Sequence, residues 1–96
     1  FLAFEMASML VGEAALPEQE EAITKALADT ELVDRVIHMR TLHVGPDELL
    51  VATKIAIGGD DSAAAIAAGI DEAERAIRTA VPSARYIYIE PDLDRS

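Results

Sequence analysis

Two histidines and a scatter of carboxylates are the side chains in this sequence whose chemistry stands out. Imidazole nitrogen and carboxylate oxygen together hold divalent cations, so the question is whether the chain brings them to one point. His38 and His43 both fall in the run RVIHMRTLHV, from Arg35 to Val44. They stand five residues apart, and in a strand an odd spacing sends side chains to opposite faces. Both could reach one ion only through a bulge. His43 lies just before Gly45-Pro46, with Asp47 and Glu48 beyond. An imidazole and a carboxylate across such a turn could share a surface cation, although a lone histidine is more often structural or solvated than a ligand. No hydroxyl or amine nucleophile sits beside a base in the pattern that covalent catalysis needs. There is no cysteine, which removes thiol nucleophiles, thiolate metal sites and disulfides together. The chain reads as a binding domain and not as an enzyme.

Composition narrows the partners. The 96 residues suffice for one domain. Hydrophobic residues make up 51% and aromatics only 4%, so alanine, valine, isoleucine and leucine must build the core. Eight basic residues face 18 acidic ones, for a net charge of -10. That field repels nucleic-acid backbones and anionic lipid surfaces, and it attracts cations and basic peptides. Gly58-Gly59-Asp60-Asp61 has a carboxylate pair of the kind that holds magnesium in nucleotide cyclases. It stands without a phosphate-binding loop or basic residues, and reads as a turn whose last residues cap a helix.

The elements that must position these groups follow from periodicity. Residues 1–11, FLAFEMASMLV, are apolar except Glu5 and Ser8. They are too short to cross a bilayer, which takes roughly 20 residues, and they lack the basic start of a signal peptide. They read either as an amphipathic helix packed on the domain or as the trailing end of a transmembrane helix. A chain that begins at Phe1 reads as a piece of a longer protein. Pro17 and the acidic residues after it start a helix over 18–29, with Ile23, Ala26 and Leu27 as its apolar face. The connection 30–34 keeps apolar residues that plug the core. Residues 35–44 are a strand. Residues 49–57 alternate, with Leu49, Val51, Thr53, Ile55 and Ile57 facing in and Leu50, Ala52, Lys54 and Ala56 facing out. Residues 63–80 form the long helix, with Ile66, Ile70, Ala73, Ile77 and Val81 as one stripe. Residues 85–90 are a third strand that Pro91 ends. The order helix, strand, strand, helix, strand predicts a two-layer α+β sandwich. Its outer sheet face, carrying Leu50, Lys54, Tyr86 and Tyr88, is suited to pairing with a second copy.

Several segments resemble one family. Met9-Leu10-Val11-Gly12-Glu13-Ala14-Ala15 is similar to the S-L-L-x-G-E-A segment after the last transmembrane helix of cation diffusion facilitator transporters. Arg40-Thr41 followed by Gly45-Pro46 resembles that family's H-D-L-R-T-R-x-x-G-P hairpin, and Tyr88-Ile89-Glu90-Pro91 resembles its terminal H-x-E-P. The segments occur in the family's order over nearly the whole chain. The resemblance implies the cytoplasmic C-terminal domain of a cation efflux transporter, with a metallochaperone-like αββαβ fold and a V-shaped homodimer. It implies export of divalent metals such as zinc, manganese, iron or cobalt. The full-length protein would sit in the cell membrane, with this domain on its cytoplasmic side and the transport site in the upstream membrane part. The expected division is 1–15 as the end of a transmembrane helix and linker, 16–92 as the dimerisation domain behind that apolar segment, and 93–96 as a polar tail.

The same resemblance locates a metal site and its weakness. Aligned on Arg40-Thr41, the family's first ligand histidine falls on Ile37, or on His38 if one residue is deleted. Its second falls near Lys54 and its third on Tyr88, so Glu90 alone matches directly. The candidate ligands are then His38, His43 and Glu90, with Lys54 repelling the ion. Any divalent metal, zinc included, is expected to bind only weakly. A free-standing ferredoxin-like module for a small ligand or metal is the alternative.

Overall fold

The computed structural model describes residues 12–94. At its centre is β2 (Glu48–Ile57), the segment whose alternation is strictest. Leu49, Val51, Thr53, Ile55 and Ile57 are all buried on its inner face, while Leu50, Ala52 and Lys54 are half-buried on the other. β1 (Arg35–Gly45) pairs antiparallel along one side of β2 through the short turn at Pro46-Asp47. β3 (Ala84–Leu93) pairs parallel along the other side, so the sheet order is β1-β2-β3. A parallel neighbour requires a crossover, and the helix α2 (Ala63–Ala80) supplies it. With the first helix, α1 (Pro17–Ala28), the order is αββαβ, in line with the predicted sandwich.

The helix boundaries follow local chemistry. Pro17 opens α1, where its missing N–H costs nothing. The Gln19 side chain takes the Leu16 N–H at 3.0 Å. At α2 the Ser62 hydroxyl accepts from the Ala65 N–H at 3.1 Å, so the cap is the serine and not the aspartates before it. Ile23 and Leu27 of α1 and Ala73 and Ile77 of α2 are fully buried against Leu49, Val51 and Ile55.

Three expectations need correction. The α2 stripe is uneven: Ile66 and Ile70 are only half-buried, and the core begins in earnest at Ala73. On the same helix, Leu32 of the connection 29–34 packs over Gly69, so closely that a Cβ there would lie 2.8 Å from the Leu32 Cβ. Pro91 does not end β3, which runs to Leu93 with Pro91 opposite Ile55. An edge strand tolerates proline because one of its sides has no ladder to complete. Asp94 N–H then donates to the Ile57 carbonyl at 3.0 Å, one step beyond the strand. Finally, β1 contains a bulge. Its register passes from Val36 opposite Ile55 to His38 opposite Lys54, leaving Ile37 as an extra residue.

Burial predicts the stability series. Ile77→Ala should cost about 2–5 kcal/mol, the range for a truncated core aliphatic, and Ile70→Ala distinctly less, as read from urea unfolding midpoints. Gly69→Ala would ordinarily strengthen a helix by about 1 kcal/mol. Here it should lower the melting temperature, because Leu32 stands in the way. Pairing it with Leu32→Ala in a double-mutant cycle should recover a favourable coupling.

Candidate functional site

The bulge at Ile37 sorts the chemistry-bearing residues of β1 onto two faces. Met39, Thr41 and His43 face inward, opposite Thr53, Val51 and Leu49. His38, Arg40 and Leu42 face outward, opposite Lys54, Ala52 and Leu50.

The inward set binds the chain's own entrance. His43 is only 3% exposed. Its N–H donates to the Glu13 carbonyl and its carbonyl accepts from the Gly12 N–H, both at 2.7 Å. The ring Nδ1 lies 3.1 Å from the same Glu13 carbonyl. A carbonyl oxygen only accepts, so Nδ1 carries the proton in this contact. Two residues earlier on the strand, the Thr41 hydroxyl accepts from the Ala15 N–H at 2.9 Å and donates to a Glu20 carboxylate oxygen at 2.7 Å. The sequence places His43 at the end of the first strand, beside the turn, where it could share a surface cation with Asp47 and Glu48. It lies instead within the fold, fastening residues 12–15 to β1. Its alternation with Thr41 and Met39, in phase with the apolar positions of β2, was the available signal.

The outward set forms rows across the sheet. His38 stands opposite Lys54, and Lys54 opposite Glu90. The Lys54 ammonium is 3.8 Å from Glu90 Oε2 and 3.6 Å from Asp92 Oδ2. The next row is Arg40, Ala52 and Tyr88, and the next Leu42, Leu50 and Tyr86. The face therefore grades from ionic to apolar. Leu42, Val44, Tyr86 and Tyr88 are all exposed, Tyr88 to 61%. Asp92 escaped the sequence reading because that reading stopped the strand at Pro91. Its spacing of two from Glu90 would have placed it on the same face.

These positions bear on metal binding. His38 and Glu90 share the outer face, on either side of Lys54, while His43 lies on the opposite face. Among the described residues no three histidine or carboxylate groups gather closely enough to hold an ion. Lys54, between His38 and Glu90 in the row, adds a positive charge that a cation at that end of the face would have to tolerate. No helix among the described residues is long and apolar enough to cross a membrane. The segment 1–11, expected to end a transmembrane helix, lies outside the described residues.

No protein-family model and no curated protein matches the sequence. Solved structures do match. The nickel form of a single-residue variant of the MamM CTD superposes with a TM-score of 0.76 at 14% identity, covering 83% of this chain and 100% of that one. Another single-residue MamM CTD variant gives a TM-score of 0.77 at 15% identity, covering 84% and 100%. A manganese form gives 0.72 at 16% identity, covering 80% and 96%. At these identities the likeness defines the fold: the chain has the α+β fold of the MamM C-terminal domain.

The inward contacts generate a prediction. Thr41→Val strands the Ala15 N–H and the Glu20 carboxylate, and should cost about 1–3 kcal/mol, the penalty for unsatisfied buried groups. Thr41→Ser should keep most of that stability. His43→Ala should also destabilise, and amide exchange should quicken at Gly12. A His43→Ala chain as stable as its parent would remove the structural assignment.

Proposed function

We propose that this chain is the cytoplasmic regulatory and dimerisation domain of a divalent-cation efflux transporter of the cation diffusion facilitator type. The observation that carries the reading is a MamM-like αββαβ fold over 83% of the chain in a sequence whose segments follow the family's order. The domain's work is non-catalytic. Residues 16–92 form the pairing unit, and residues 1–15 connect it to an upstream membrane part, through the clasp at Thr41 and His43. The full-length protein sits in the cell membrane with this domain on the cytoplasmic side. Divalent cations are its cargo upstream and weak ligands here. The MamM structures it resembles include nickel, manganese, cadmium and copper forms, which supports a divalent ligand of that class.

The pairing surface in this reading is the outer sheet face. Leu50, Tyr86 and Tyr88 supply its apolar part and Lys54 its ionic part. A symmetric pair would bury tyrosine rings that otherwise stand in water, at roughly 25 cal/mol per Å² of apolar area before association costs. Two copies each carrying -10 repel one another, so salt should help by screening.

Light scattering at micromolar concentration and moderate salt should give twice the 10.3 kDa chain mass, and Tyr86→Asp with Tyr88→Asp should give the single chain. Only a single-chain mass for the parent would defeat the pairing. In cells carrying the full-length protein, the same double substitution should reduce export of the transported metal at unchanged protein level.

A further inference from the structure

The rows of the outer face differ along the strands and also across them. Along the strands they pass from ionic, at His38 and Glu90, to apolar, at Leu42 and Tyr86. Across them, β1 supplies an imidazole and a guanidinium, while β3 supplies a carboxylate and two tyrosine rings. The middle row is Arg40, Ala52 and Tyr88. Arg40 and Tyr88 are both exposed, Tyr88 to 61%. Arg35 on the same strand pairs with Asp94, and Lys54 on the next strand with Glu90. Among the described residues Arg40 has no ion pair. A guanidinium is drawn to the face of a tyrosine ring, but within one chain Arg40 and Tyr88 stand two strands apart, roughly 10 Å across the sheet.

Sheets packed face to face keep their strand directions within about 30° of each other, so two copies can meet in two ways. With the two-fold axis across the strands and through the middle row, ionic rows would meet apolar ones, and Arg40 would face the partner's Arg40. With the axis along β2, every row meets its own kind and β1 lies over the partner's β3. Arg40 then faces the partner's Tyr88, His38 the partner's Glu90, and Leu42 the partner's Tyr86, each contact made twice. Lys54 falls on the axis against the partner's Lys54, a like-charge cost that each chain offsets with its own Glu90 at 3.8 Å. We propose that a second copy seats on this face with the two-fold axis along β2, and that Arg40 against the partner's Tyr88 fixes that orientation. This arrangement rests on the pairing proposed above and adds which residues meet.

The chain has no cysteine, so introduced thiols report the contacts cleanly. A chain carrying Arg40→Cys, mixed with one carrying Tyr88→Cys, should be linked by a bis-maleimide of roughly 10 Å reach, the spacing of facing sheets. Either chain alone should link far less. The mixed pair keeps one Arg40 opposite the partner's Tyr88, so the seating survives the substitutions. In the otherwise unaltered chain, Arg40→Gln should raise the dissociation constant of the pair about tenfold, read by light scattering over a dilution series, with circular dichroism confirming the fold. A parent of doubled mass whose Tyr88→Cys chain links to itself, or whose mixture does not link, overturns the orientation and leaves the pairing standing. An Arg40→Gln chain that pairs as tightly as the parent does the same. A single-chain mass for the parent removes both.

Discussion

Ile37 has no partner on β2, and the phase of everything after it in β1 depends on that. Alternation carries side chains from one face to the other at each step, so one unpaired residue moves all those that follow. With it, Thr41 and His43 enter the protein beside Leu49 and Val51, and His38 and Arg40 come out beside Lys54 and Ala52. Without it, His38 and Arg40 would turn inward, while Met39, Thr41 and His43 would turn out. The bulge thereby creates both surfaces that matter: an inner one that fastens the chain's entrance, and an outer one that mixes ions with tyrosines.

The outer face combines features that are usually kept apart. A chain of net charge -10 has placed Lys54 in the middle of its sheet and exposed tyrosines next to it. Lys54 offsets carboxylates on β3, and the aliphatic stem of such a side chain covers apolar surface as well. Any partner seated there meets an ionic row at one end and an apolar one at the other.

Much of the architecture could be read from residue order. Strict alternation in β2 and the four-three-four spacing in α2 are long, unambiguous signals, and both helices and all three strands lie where periodicity predicts them. The misreadings share a cause, which is that they turn on tertiary context. Pro91 ends a strand only if that strand needs bonds on both sides, and β3 does not. Ile70 fits the helical stripe, yet its burial depends on what other elements lay over it, and it stays half-buried. His43 looks like a strand end open to solvent until Gly12 and Glu13 pair with it, the Glu13 contact joining positions 30 apart. The site residues on the outer face were legible in type, since Lys54 and Glu90 declare their charges. Their arrangement in one row needed the β2–β3 register, and His38 joins that row through the bulge in β1.

The clasp at His43 has a further meaning for how the sheet meets other molecules. A three-stranded sheet has two open margins, and unpaired backbone along a margin invites strands from other chains to add on. On β1 the backbone of Gly12 and Glu13 occupies the margin at His43, and farther along the bulge at Ile37 bends it. On β3 the opposite margin carries Pro91, which has no N–H to offer an added strand. Both margins are thus poor templates for sheet extension into fibres. Growth by edge addition is discouraged on either side of the described sheet, and the chain's own backbone, not a neighbour's, closes the margin at His43.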